Sequence, residues 1–120
     1  MVEETKNNTK LIMNICLSYG SRGEITNACQ SIARNVLKGQ LDPTDITELT
    51  LSQHMLTHSC PDPDLVIRTS GEYRLSNFLL WQLAYAEMFF VGKNWPELTK
   101  KDLLQIIHSY AIDRKRRYGK

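Results

Sequence analysis

Two short apolar runs constrain this chain more than anything else in it: LVIR at residues 65–68 and MFFV at 88–91. Each is too short to be a packed helix, carries β-branched or aromatic residues, and is bounded by turn formers, so each predicts a buried strand. A third run, KLIMNICLSYG at residues 10–20, is apolar along both faces, which suits a strand inside a parallel sheet. The period then changes. In residues 24–38, Ile25, Ala28, Cys29, Ile32, Ala33, Val36 and Leu37 recur at three- and four-residue spacing, predicting an amphipathic helix that Gly39 ends. Strands alternating with helices predict an α/β fold: a mainly parallel sheet with helices on both faces and right-handed crossovers.

The remaining segments fit this alternation. Asp42-Pro43 marks a turn, and Thr47 or Thr50 can cap a short helix carrying Leu51, Met55 and Leu56. The prolines of HSCPDPD force an extended approach to LVIR. Ser76 can cap a helix over NFLLWQLAYAE, and Thr99 a last helix with Leu103, Leu104, Ile106, Ile107, Tyr110 and Ala111 on its apolar side. Residues 1–9 lack periodicity and are expected to fray, leaving residues 10–120 as one domain. A sheet of three parallel strands keeps an exposed edge unless another chain or segment covers it.

Composition narrows the class. The 120 residues are 42% hydrophobic and 23% charged, as in a folded globular domain rather than a disordered or fibrous one. A formal charge of +2, with its basic residues concentrated in DRKRRYGK, gives no broad basic face for nucleic acid. No apolar run approaches the roughly 20 residues that span a bilayer, and the polar, acidic start does not resemble a leader, so a cytoplasmic location is expected. Cys16, Cys29 and Cys60 form no CxxC pair and read as buried free thiols. His54, His58 and His108 have no metal-ligand spacing, and Trp81, Leu83, Phe89 and Phe90 read as core.

The chemistry is concentrated in LVIRTSGEYRLSNFLLW, residues 65–81. Ligands of open parallel sheets bind beyond the carboxyl ends of the strands, which is where Arg68 to Ser76 would lie. With Ser76 at a helix N-terminus, free N–H groups and the helix dipole would stand beside Arg68 and Arg74 as an anion trap. Two arginines can grip phosphate oxygens bidentately, Thr69, Ser70 and Ser76 add hydroxyls, and Gly71 permits close backbone approach. The competing reading is a surface salt bridge, in which Glu72 neutralises Arg68 or Arg74 and the hydroxyls merely cap turns.

DPDLVIRTSGEYRLSNFLLWQLAYAEMFF, followed in order by WPEL and RRYG, resembles the carboxyl-terminal region of the cis-prenyltransferases, the family of undecaprenyl and dehydrodolichyl diphosphate synthases. Upstream, NICLSYGSRGEITNACQSIARNVLKGQLDPTDI is similar to the family's strand and helix after its central loop, so the resemblance runs from about Lys10 onward. It implies an enzyme that condenses isopentenyl diphosphate onto an allylic diphosphate with the help of Mg²⁺. By resemblance Arg68, Arg74, Leu75 and Ser76 hold the isopentenyl diphosphate. Glu87, the glutamate of AYAE, is implied as a Mg²⁺ ligand, though the strand order puts it at the far end of the sheet from the arginines. Arg117 and Gly119 are implied to reach a diphosphate across a dimer interface.

Two family motifs are absent from these 120 residues: the catalytic aspartate followed by Gly-Asn-x-Arg, and the Ser-x-Glu-Asn loop. The resemblance therefore implies a truncated domain carrying the isopentenyl diphosphate site, inactive alone, acting as a homodimer or heterodimer and touching membrane only through its lipid product. The alternative is a non-catalytic dimer partner of a full-length cis-prenyltransferase.

Overall fold

The computed structural model describes residues 2–114. It is an α/β fold whose sheet is a single parallel pair. Strand β1, Leu65–Arg68, pairs with β2, Glu87–Phe90, in the register Leu65↔Glu87, Val66↔Met88, Ile67↔Phe89 and Arg68↔Phe90. Both strands stand within a residue of where the apolar runs predict them. A parallel pair needs a crossover of a dozen or more residues between its strands, and residues 69–86 supply it.

Helices α1 (Val2–Thr5), α2 (Ser21–Leu37), α3 (Glu48–Gln53) and α4 (Lys100–Ser109) complete the fold. Helix α2 begins three residues before its predicted start and ends at Leu37, two residues before Gly39, whose φ of +67° is the left-handed conformation that lets the chain leave the helix. Of the two candidate caps for α3, Thr47 is the N-cap: its Oγ1 accepts from the Thr50 N–H at 3.2 Å, and the Thr50 Oγ1 accepts from the Thr47 N–H at 3.1 Å. Thr99 caps α4 in the same way with Asp102, whose Oδ2 accepts from the Thr99 N–H at 2.8 Å.

Three expectations fail, for related reasons. Residues 11–17 do not form a strand: among the described residues they pair with neither β1 nor β2, and Leu11, Ile12, Met13, Ile15 and Leu17 are exposed. A strand exists only through its ladder, so the apolar run stays extended and unpaired; its one described cross-link is Asn14 Nδ2 donating to Cys60 Sγ at 3.2 Å. The cysteines are not buried either. Cys16 and Cys29 are exposed and Cys60 is half-buried. On α4 only Ile106 is buried, while Leu103, Leu104 and Ile107 face outward.

The apolar core is small, consisting of Ala28, Ile32, Met55, Leu83 and Ile106. An open apolar hollow of about 440 Å³ lies between α2 and α3, walled by Cys29, Ile32, Ala33, Leu51 and Trp81. The radius of gyration, 17.5 Å, exceeds the roughly 13–14 Å of a compact chain of this length. Much of the apolar surface that the sequence prepares for burial is therefore uncovered.

Buried polar groups hold the centre together. Glu24, only 5% exposed, projects from the same stripe of α2 as Ala28 and Ile32. Its Oε1 accepts from the Leu56 N–H at 2.8 Å, and its Oε2 from Gln82 Nε2 at 3.1 Å and from the Tyr19 hydroxyl. Gln82 Nε2 also donates to Thr57 Oγ1 at 2.9 Å, and Trp81 Nε1 to Ser52 Oγ at 3.0 Å. Partial burial and the bond to Glu24 raise the Tyr19 pKa, the burial contributing most.

Candidate functional site

Arg68 is the last residue of β1 and pairs with Phe90, the last of β2, so the segment that follows it lies outside the carboxyl ends of both strands. The pairing continues briefly past the strands. The Val91 N–H donates to Arg68 O at 2.8 Å, Gly71 N–H to Val91 O at 2.9 Å, and Ser70 N–H to Lys93 O at 2.8 Å. Ser70 and Gly71 have φ of +67° and +65°, and this left-handed pair reverses the chain. Tyr73 then lies on Phe90, with ring centroids 5.0 Å apart, which folds residues 72–76 back over the strand ends.

Within that turn Arg74 Nε donates to Ser76 Oγ at 3.2 Å, and Arg74 Nη1 is ion-paired with Glu72. The arginine and serine stand together, and the salt-bridge alternative occupies one edge of the guanidinium. Arg74 is 62% exposed and Glu72 38%, so water screens the pair and it is a weak competitor for Arg74. Arg68 has no carboxylate within ion-pair distance among the described residues.

The helix expected after Ser76 is not there. Ser76, Asn77 and Leu79 have φ of +49°, +64° and +45°, and residues 76–85 form a series of turns. The anion trap therefore lacks the helix dipole that the sequence predicts for it. The physical reason is a competing use of Asn77. Its carbonyl accepts from the Ser21 N–H at 2.8 Å and its Oδ1 from the Arg22 N–H at 2.9 Å, so it caps α2, whose own N-cap residue is Gly20. The left-handed conformation that points both oxygens of Asn77 at α2 cannot also start a helix.

The structure brings Arg68, Arg74, Leu75 and Ser76 to one end of the sheet, with Leu75 half-buried. It does not bring Glu87 to them. Glu87 pairs with Leu65 at the opposite end, three residues or about 10 Å of strand from Arg68. Among the described residues no group of three or more His, Cys, Asp or Glu side chains stands together to hold a metal ion. Glu87 offers one half-buried hard carboxylate, which suits Mg²⁺ only as a single ligand beside phosphate oxygens and water. Arg117 and Gly119 lie outside the described residues.

Sequence reasoning missed the group that organises this region: Tyr19, Ser21, Glu24, Asn77 and Gln82. One signal was present. Glu24, Ala28 and Ile32 share a four-residue spacing on the inward stripe of a predicted helix, and a carboxylate in such a stripe must find buried donors.

The undecaprenyl diphosphate synthase family model matches residues 1–119, extending the resemblance back from Lys10 to the first residue. The chain is 53% identical over 120 residues to an isoprenyl transferase of Lactobacillus johnsonii, covering 98% of this chain and 50% of the relative. An isoprenyl transferase of Shouchella clausii is 51% identical over 118 residues, with 98% and 46% covered. The crystal structure of lavandulyl diphosphate synthase from Lavandula x intermedia, in complex with dimethylallyl diphosphate, superposes with a TM-score of 0.77 at 45% identity. That match covers 86% of this chain and 43% of the synthase. The chain spans about half the length of the curated relatives it matches. No described helix is long and apolar enough to cross a membrane.

Proposed function

Because the chain belongs to the undecaprenyl diphosphate synthase family, we propose that it carries the isopentenyl diphosphate grip of a cis-prenyltransferase. The observation that most supports this is the turn that follows Arg68 outside the carboxyl ends of β1 and β2, where Arg74 and Ser76 are bonded to each other. Two guanidinium groups and a hydroxyl match the oxygens of a diphosphate, and charge-assisted bonds of this kind are the strong ones. Leu75, half-buried between Arg74 and Ser76 in the chain, belongs to the same proposed site. The prenyl chemistry is displacement of diphosphate from an allylic partner with formation of a carbon–carbon bond. In that reaction this chain holds and orients the incoming five-carbon unit.

Catalysis requires the allylic site as well, and the sequence contains no Asp-Gly-Asn-x-Arg motif. The isolated 120 residues are accordingly expected to bind isopentenyl diphosphate without elongating farnesyl diphosphate. The uncovered apolar residues 11–17 support packing against further polypeptide, and the dimer, whether a homodimer or a heterodimer, is part of the same proposal. Mg²⁺, when bound, neutralises phosphate charge and eases diphosphate departure; Glu87 is its candidate ligand here, and Arg117 and Gly119 the candidate contacts across the dimer. A cytoplasmic location, with membrane contact only through the lipid product, is part of the same proposal.

Titration of the purified chain with isopentenyl diphosphate tests this reading. Arg68→Ala and Arg74→Ala should each weaken binding by about 1.5–3 kcal/mol, as expected for a lost charge-assisted bond. Unchanged affinity in both variants would refute the assignment.

A further inference from the structure

The diphosphate turn does not hold its own shape. Ser76, Asn77 and Leu79 occupy left-handed backbone that non-glycine residues rarely adopt, and Ser76 sits there while receiving Arg74 Nε. Such a conformation persists only when its surroundings impose it. The surroundings here are the first turn of α2 and the two residues before it.

The contacts form a clasp across more than fifty residues of sequence. Asn77 O and Oδ1 accept from the Ser21 and Arg22 N–H groups at 2.8 and 2.9 Å. In return Ser21 Oγ, on a side chain with no exposed surface, accepts from the Leu80 N–H at 2.9 Å. The Tyr19 ring meets Phe78 edge-on, with centroids 5.9 Å apart. Gly20 lets the strands of the clasp close, since a Cβ there would stand 2.7 Å from Asn77 Nδ2. Every residue from Asn77 to Leu80 except Leu79 is thereby tied to residues 19–22 by a contact named here.

We propose that Asn77 is a positioning residue for diphosphate binding, holding Ser76 and through it Arg74 in gripping geometry by anchoring the turn to the start of α2. The inference rests on the reading of residues 68–76 as the isopentenyl diphosphate site and adds what keeps that site formed. The sequence of causes is short. The α2 N–H groups fix Asn77, Asn77 fixes the backbone of Ser76, and Ser76 Oγ fixes the guanidinium of Arg74. Because coupling between two events is reciprocal, ligand on Arg74 must also tighten the clasp.

The test is titration of the whole 120-residue chain with isopentenyl diphosphate in four forms besides the unaltered one. Asn77→Gly keeps the left-handed backbone strain-free but removes the side-chain acceptor. Gly20→Ala, at a φ of −153° that alanine adopts freely, displaces the Asn77 side chain without substituting any residue of the turn. Each should raise the Kd about tenfold. The loss in Arg74→Ala combined with Asn77→Gly should fall well short of the product of the two single losses, since Asn77 acts through the bonded Ser76–Arg74 pair. A purely structural role would instead give independent, multiplying losses and would overturn the proposal.

The arms separate the two readings. If Arg74→Ala weakens binding while Asn77→Gly and Gly20→Ala bind as the unaltered chain does, the clasp fails and the site stands. If Arg74→Ala binds as the unaltered chain does, the clasp proposal fails; if Arg68→Ala does so as well, or if the unaltered chain does not bind, the site fails with it. Amide exchange in the unaltered chain needs no variant to fold: saturating isopentenyl diphosphate should slow exchange at Ser21 and Arg22, and unchanged exchange at both overturns the inference.

Discussion

Glu72→Gln is the change that most sharply separates a diphosphate grip from a surface salt bridge. Glu72 is ion-paired with Arg74 Nη1, and both side chains are more than one-third exposed. In that setting the pair stabilises the fold by no more than about 1 kcal/mol. A phosphate oxygen that takes the same guanidinium would lie on the order of 5 Å from the Glu72 carboxylate. Two like unit charges at that distance in a water-like dielectric repel by about 0.8 kcal/mol. Removing the carboxylate charge should therefore tighten isopentenyl diphosphate binding by about two- to fivefold. The assay is calorimetric titration at low salt and at 0.15 M, where screening over about 8 Å should shrink the gain. Weaker or unchanged binding at low salt would refute the reasoning, because Glu72 would then be orienting Arg74 or lying apart from the ligand.

Three further outcomes follow from the polar contacts. Glu24→Ala leaves the Leu56 N–H, the Gln82 amide and the Tyr19 hydroxyl without their acceptor, and should lower stability by about 1–3 kcal/mol in urea unfolding. Asp102 is held well below the usual carboxylate range, first by Lys93 and then by the Thr99 hydroxyl and N–H. Its contribution is present above the ordinary carboxylate pKa near 4 and is lost as pH falls through the depressed value, so amides in the first turn of α4 should exchange faster in acid. Tyr19 has a raised pKa; its stabilisation is complete below the ordinary tyrosine value near 10 and is lost as pH rises through the raised one. Phenolate absorbance should show Tyr19 titrating late, and less late in Glu24→Ala, where the burial that contributes most remains.

What was legible in the sequence was what a residue can signal by itself or with near neighbours. LVIR and MFFV announced both strands, the three- and four-residue spacing announced α2, and Thr47 and Thr99 announced two helix starts. The arginine turn was legible too, because its position after a strand and its side-chain chemistry are both local. The failures all depend on distant partners. Residues 11–17 have strand composition but pair with no described strand, and composition cannot supply the pairing. NFLLWQLAYAE has helical spacing, yet Asn77 is committed to Ser21 and Arg22, a tertiary demand that overrides local propensity. Glu24 lay in plain view on an apolar stripe, but its partners Leu56 and Gln82 come from elsewhere in the chain.

The central claim, that residues 68–77 hold a diphosphate, is tested most directly by amide chemical shifts of the chain titrated with isopentenyl diphosphate. The expected result is a set of saturable shifts confined to residues 68–77 and to Ser21 and Arg22 behind them, reduced in Arg74→Ala and not reproduced by isopentenol. Shifts centred instead on Lys100 and Lys101 at the start of α4, or shifts of equal size with the uncharged alcohol, would contradict it.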